Sequence, residues 1–183
     1  MHSDFGSVFF PVQAALDIRL LVLDVDGVLT DGGLYYDLQN QVMKRFDVQD
    51  GLGIRIAQQV GIAVAVITGL VSRAVEIRVK DLGIKDYYAG FLDKRACLEE
   101  IRVRHNLKWE QIAYLGDDWV DLSVMDMVGL PLAVANAQPE VKNIATYVTT
   151  AKGGQGAVRE IIRHLLMALG KYEAVLAAWS HPC

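Results

Sequence analysis

Short, continuously apolar runs alternate along this chain with longer stretches in which apolar residues recur every three or four positions. Leu20 to Leu23 is apolar throughout and is stopped by Gly27, which predicts a buried strand too short to span a membrane. From Asp50, the residues Leu52, Ile54, Ile56, Ala57 and Val60 fit one face of a helix that closes at Gly61. Ile62 to Ile67 predicts a second buried strand, ending in Thr68-Gly69. Ser72 is placed to cap a helix that runs to Leu82 and closes at Gly83. Tyr87 and Tyr88 predict a third strand. A helix opening at Asp93 or the residue before it then carries Cys97, Leu98, Ile101 and Val103. Gln111 to Leu115 is the fourth strand, with Val124, Met125 and Val128 on the inner face of the helix after it. Leu130 to Val134 is the fifth, Pro139 opens a short helix, and Tyr147 to Thr149 gives a sixth strand. After Gly153-Gly154-Gln155-Gly156 a final helix runs from Ala157 to Leu169 or beyond.

This alternation implies an α/β fold: one domain over residues 1–183, built on a doubly wound, mostly parallel sheet. Right-handed crossovers then bring the carboxyl ends of the strands to one edge. Three regions stand outside the alternation. Residues 1–17 read as a loose N-terminal segment with a short turn at Gln13 to Asp17. Residues 34–46 read as a β-hairpin about a Gln39-Asn40 turn, or as an irregular exposed loop. Residues 153–183 join a glycine-rich segment to a C-terminal helix, in which Tyr172 to Trp179 is apolar enough to suggest a buried contact.

Composition narrows the function. With 183 residues, 52% of them hydrophobic, the chain can bury one sizeable core. Its formal net charge of -4 gives no basic field for nucleic acid or an anionic membrane surface. We expect neither as partner, and no signal peptide or membrane segment. Cys97 and Cys183 are the only cysteines and lack metal-ligand spacing, so neither a disulfide framework nor a zinc site is indicated, which fits a reducing cytoplasm.

The chemistry begins where the first strand ends, at Asp24-Val25-Asp26-Gly27. Side chains two apart on a strand share a face, so both carboxylates can point at one place, beyond the strand tips where open α/β sheets bind ligands. Two such charges call for a cation between them, and a hard one such as Mg2+ suits oxygen ligands. The same edge would collect Thr68, Lys94, Asp117 and Asp118. Lys94 stands in a first helical turn, where the macrodipole disfavours a cation. Asp118 and Asp121 are placed to cap the following helix or to orient Lys94.

A carboxylate attacking a phosphate ester meets like charge. At an effective dielectric near 20, each unit charge roughly 3.3 Å away costs about 5 kcal/mol. A divalent ion held by Asp24 and Asp117 offsets that repulsion. Thr68 can donate to a phosphoryl oxygen, and Lys94 can supply positive charge to the transition state. Asp24 would be the nucleophile, forming an aspartyl-phosphate. Asp26 would protonate the leaving alcohol and then take a proton from water. A receiver-type phosphoacceptor module joins similar residues, but it lacks a second carboxylate two residues after the nucleophile, so Asp26 discriminates against it.

Asp24-Val-Asp26-Gly27-Val-Leu-Thr30, Thr68-Gly69, Lys94 and Gly116-Asp117-Asp118-Trp-Val-Asp121 together resemble, in order, the four motifs of the haloacid dehalogenase-like phosphatases, over roughly residues 18 to 162. Within that superfamily the Asp-Gly-Val-Leu-Thr-Asp-Gly extension and the tail Gly153 to Glu160 are similar to those of 3-deoxy-D-manno-octulosonate 8-phosphate phosphatases. These release phosphate from an eight-carbon sugar acid in lipopolysaccharide precursor synthesis. The resemblance implies a Rossmann-like core without a cap domain and Mg2+ bound by Asp24, the backbone carbonyl of Asp26, and Asp117. It also implies homotetramers with shared active sites, in which residues 34–46 pack on neighbours and the glycine-rich tail approaches a neighbour's site. Gly69 would join Thr68 and Lys94 in holding the substrate. Two positions depart from the family: Leu70 stands where arginine is usual, and Gln155 where a basic residue is common. Arg73, one helical turn on, and Arg159 are the candidate replacements. A nine-carbon keto-sugar acid phosphate, or a broader phosphomonoester range, stays open as substrate.

Overall fold

The computed structural model describes residues 9–39 and 41–180; Asn40 of the expected turn and both Cys183 and His181 lie outside them, as do residues 1–8 of the N-terminal segment. The first strand, β1 (Leu20–Leu23), is buried on both faces, as an unbroken Leu-Leu-Val-Leu run requires in a covered parallel sheet. A two-stranded antiparallel ribbon follows, β2 (Tyr35–Tyr36) with β3 (Val42–Met43). It takes up most of the chain between Gly33 and Asp50, leaving too little there for a cap domain.

The remaining chain gives α2 (Val48–Gln59), β4 (Ala63–Thr68), α3 (Arg73–Asp81), β5 (Asp86–Ala89) and α4 (Arg95–Arg104), then β6 (Ile112–Gly116), α5 (Trp119–Met125), β7 (Leu130–Ala133), α6 (Pro139–Ile144), β8 (Tyr147–Val148), α7 (Ala157–Ala168) and α8 (Tyr172–Ser180). Six of these strands form one parallel sheet in the order β5-β4-β1-β6-β7-β8. The chain winds outward from β1 to β5, returns across β1 to β6, and winds the other way. The topological switch therefore falls beside β1, and its carboxyl end is the crevice in which such sheets bind ligands.

Three local expectations change. The N-terminal stretch is packed rather than loose from Phe10 onward: Val12–Ala15 is a short helix, α1, with Ala15 buried. Phe10 supplies the reason, its ring stacked on His164 at 4.6 Å and edge-on to Tyr147 at 5.2 Å, which gives an otherwise marginal helix a surface to dock on. Helix α2 starts earlier than Asp50 because Asp47 caps it, accepting from the backbone N–H of Gln49 and Asp50. Asp50 instead turns inward and accepts from the Arg159 N–H at 2.7 Å, while Leu52 faces outward. Ser72 occupies the N-cap of α3 by backbone geometry, but its hydroxyl makes no capping bond.

Apolar strand residues and the inner faces of α2 and α7 form the core, with Val66, Ile67, Leu115, Ile161 and Leu165 fully buried. Helix α8, set off from α7 by Gly170 in a left-handed conformation, has no buried residue. Among the described residues no helix is long and apolar enough to cross a membrane.

Candidate active site

Asp24 is the first residue beyond β1, Thr68 closes β4, and Asp117 is the first beyond β6. Because β1 pairs with β4 on one side and β6 on the other, in register, three adjacent strand tips deliver these side chains to one place. Asp24 and Thr68 are 5% and 1% exposed. Lys94 reaches the same place from the N-cap of α4 and is fully buried.

An ammonium can be buried only with partners, and Lys94 has three acceptors. Its Nζ donates to Asp24 Oδ1 at 2.6 Å, to Asp121 Oδ1 at 2.6 Å and to the Tyr114 hydroxyl oxygen at 3.1 Å. Tyr114 in turn donates to Asp121 Oδ1 at 2.7 Å. The other oxygen of Asp121 accepts from the backbone N–H of Asp117 at 2.9 Å and of Asp118 at 3.3 Å. Asp121 thus does both things expected of it, holding Lys94 and closing the first turn of α5, while Asp118 caps that helix by accepting from Trp119.

Asp24, Asp117 and Asp121 each bring a carboxylate oxygen within 4.8 Å of the others, against the single charge of Lys94. Burial, then the neighbouring carboxylates, push Asp117 up to about 8. Burial and Asp121 also raise Asp24, to about 7, against the pull of Lys94. Asp117 Oδ1 is buried and accepts no hydrogen bond. Uncompensated negative charge with a free buried carboxylate oxygen fits a hard divalent cation. Both oxygens of Asp121 are engaged, so Asp24 and Asp117 are the side chains left to hold such an ion.

Two close approaches shape the surrounding loops. Gly27 has φ +91° and lies so near Asp117 that a Cβ would stand 2.0 Å from its Oδ2, so glycine is required on both counts. Gly153 is pressed on Gly27, where a Cβ would meet the carbonyl oxygen at 1.7 Å. Asn136 joins the two segments, donating to the Gly27 carbonyl at 3.0 Å and accepting from the Gly153 N–H at 2.7 Å. The Gly154 N–H donates to the Val28 carbonyl at 3.0 Å. Within the chain, Gly153 and Gly154 therefore pack on its own first turn.

Asp26 sits just outside the cluster with its side chain 27% exposed, and pairs with Lys44 from the ribbon. Thr68 Oγ1 accepts from the Leu70 N–H at 3.4 Å. A cavity of about 470 Å3 opens beside the ribbon, lined among others by Tyr36, Lys44, Leu70, Ser72 and Arg73. Gly69 leads from Thr68 to that cavity. Arg73 lines it but is exposed and paired with Glu76 at 2.8 Å. Arg159 does not join the site: its helical phase turns it into a groove with Leu52, Tyr172 and Trp179, against Gly53 of α2. Lys44, Tyr114 and Asn136 are the site residues that the sequence patterns did not single out. A tyrosine within the aliphatic run Ile112-Ala-Tyr-Leu, at a strand leading to an acidic tip, was the available signal for Tyr114.

A family model described as haloacid dehalogenase-like hydrolase matches residues 83–162. A 3-deoxy-D-manno-octulosonate 8-phosphate phosphatase of Yersinia pestis is 45% identical over 162 residues, covering 88% of this chain and 87% of its own length. The crystal structure of the Yersinia pestis enzyme superposes with a TM-score of 0.87, covering 88% of each chain. The Moraxella catarrhalis enzyme, solved with a magnesium ion, a phosphate ion and a KDO molecule, gives a TM-score of 0.89 at 37% identity, over 92% of this chain and 97% of that one. The strand-tip carboxylates around Lys94 and the likeness over nearly the whole chain agree: this protein is a phosphatase of the haloacid dehalogenase-like hydrolases and belongs to their 3-deoxy-D-manno-octulosonate 8-phosphate phosphatase family.

Proposed function

We propose that this chain hydrolyses 3-deoxy-D-manno-octulosonate 8-phosphate to the free sugar acid and phosphate, through an aspartyl-phosphate on Asp24. The observation that carries the reading is the buried Asp24 beside the half-buried Asp117, whose Oδ1 is buried and free, arranged around a fully buried Lys94. Asp24, Asp117 and the backbone carbonyl of Asp26 hold Mg2+, which when bound neutralises phosphate charge beside the nucleophile. Asp24 Oδ attacks phosphorus, Thr68 and the Gly69 backbone receive the phosphoryl oxygens, and Asp26 protonates the departing sugar oxygen. Asp26 then takes a proton from the water that cleaves the aspartyl-phosphate. Lys94 holds Asp24 in line and offsets charge on the phosphoryl group.

The sugar acid occupies the cavity beside the ribbon, where Arg73 is the candidate contact that Leu70 does not provide. A homotetramer with shared sites suits the exposed apolar residues around that mouth: Tyr36 is 63% exposed, Leu38 98% and Val71 81%. The reaction would lie in lipopolysaccharide precursor synthesis and in the cytoplasm, where the free thiol of Cys97 is stable.

A phosphate-release screen of sugar phosphates, with and without EDTA, tests the function. The eight-carbon keto acid phosphate should give the highest kcat/KM, and EDTA should abolish release. Preference for the nine-carbon analogue, or activity that survives EDTA, would overturn the reading.

The raised carboxyls also fix a pH dependence. A carboxyl whose folded pKa is raised favours folding fully below its unfolded value, and that contribution is lost as pH rises through the folded pKa. For Asp24 and Asp117 the window runs from the ordinary 3.8 to about 7 and about 8. Metal-free protein should therefore lose stability across it, while Mg2+, which binds the deprotonated pair, should restore stability increasingly. Thermal unfolding in EDTA and in Mg2+, from about pH 5 to about pH 8, should show a Tm difference that widens with pH. A difference that stays constant would contradict Asp117 as a ligand.

A further inference from the structure

One cation reaches the acid/base carboxylate from outside the four motifs. The ammonium of Lys44 pairs with Asp26 Oδ1. Its side chain is only 1% exposed, although it stands on the surface ribbon directly after Met43, which is 53% exposed. Burying an ammonium is unfavourable without a partner, so the surrounding chain must hold it there.

Three contacts do so. Thr30 and Phe46 form an antiparallel bridge that ties the returning arm of the ribbon to the turn after Asp26. Arg45 donates to the Gly154 carbonyl at 2.7 Å, fixing the opposite side of the arm. The Arg78 guanidinium lies 5.8 Å from the Phe46 ring centroid and donates to the Asp47 carbonyl at 3.0 Å. Residues two apart on an extended arm share a face, so anchoring Phe46 inward turns Lys44 inward as well.

The two oxygens of Asp26 have different surroundings. Oδ1 is held by Lys44, whereas Oδ2 is buried and makes no hydrogen bond. General acid catalysis needs one oxygen kept within hydrogen-bond reach of the leaving atom. We propose that Lys44 is a positioning residue that holds Oδ1 of Asp26 and thereby fixes the carboxyl in place for the leaving oxygen. The inference rests on the reading of Asp26 as the acid. As the P–O bond breaks, its electron pair stays on the leaving oxygen, which takes the proton carried by the Asp26 carboxyl; Lys44 keeps its protons throughout. Lys44 also lines the cavity beside Leu70 and Ser72, so contact with the sugar is the competing role.

Aryl phosphates separate these roles because they carry no sugar. Parent enzyme, Lys44→Met, Lys44→Arg and Asp26→Asn are compared with Mg2+ on dinitrophenyl, nitrophenyl and phenyl phosphate. The readout is kcat/KM, which covers the steps through departure of the phenol. Dinitrophenolate leaves without a proton, whereas phenolate does not leave readily. The loss in Lys44→Met should grow along the series from under about twofold to about tenfold or more, in parallel with Asp26→Asn. Lys44→Arg, which keeps a charged donor, should remain within about threefold of the parent. If Asp26→Asn shows the graded loss but Lys44→Met shows a uniform loss or none, the positioning role is overturned. A uniform loss then marks a structural residue, and no loss a sugar contact. If Asp26→Asn itself shows no gradient, the acid reading fails and this inference falls with it.

Discussion

Asp24→Asn should fold as the parent does and lose turnover by about four to six orders of magnitude, the scale seen when a nucleophile is removed from a site whose parts act as a unit. The fold should survive for a local reason. Asp24 is raised by burial and by Asp121, so a neutral amide of the same shape relieves repulsion. Lys94 keeps Asp121 and Tyr114 as acceptors. Unfolding temperature in EDTA should therefore be unchanged or higher, while phosphate release falls to background. Turnover retained at a tenth of the parent rate or more would remove Asp24 as nucleophile.

Lys94→Ala should be the most damaging single change to the fold. It strips the ammonium that pairs with buried Asp24 and Asp121 from a cluster of three carboxylates and leaves a cavity where a fully buried side chain stood. Breaking a buried ion pair by removing one partner costs about 3–5 kcal/mol. For a chain of this size that lowers Tm by roughly 6–20 °C. Mg2+ should recover part of the loss, because it supplies positive charge to Asp24 and Asp117, but not the activity. Lys94→Arg should not rescue, since a planar guanidinium cannot take the three-acceptor geometry of a fully buried ammonium. Differential scanning calorimetry on both variants checks this, and an unchanged Tm for Lys94→Ala would show that the carboxylates are already neutral without it.

The residues legible in the sequence share one property: each stands where a local pattern ends. Asp24, Thr68 and Asp117 close apolar runs, and Lys94 opens an amphipathic one, so strand and helix periodicity alone bring them to one sheet edge. Lys44 was illegible because its position depends on contacts distant in sequence, the Thr30 to Phe46 bridge and the Arg45 bond to Gly154. The strand just before it, β3, is two residues long, too short to carry a reliable alternation. Arg159 failed as a site residue for the converse reason. The tail motif placed it near the right loop, but the rotation of α7 about its axis, set by packing on α2, directs the side chain into the groove beside α8. Helix α1 escaped notice because four residues become helical only when Phe10 and Ala15 have α7 and His164 to pack against.

The central claim is that phosphate is carried covalently on Asp24. Rapid quench during turnover of the sugar-acid phosphate with Mg2+, followed by borohydride reduction, converts an aspartyl-phosphate to homoserine, which peptide mass spectrometry locates. With dinitrophenyl phosphate, whose leaving group needs no proton, Asp26→Asn, lacking the base that activates water, should raise the yield. Homoserine at position 24, dependent on substrate and absent from Asp24→Asn, is the expected result. Homoserine at Asp26 or Asp117, or none in any quench that captures turnover, would contradict it.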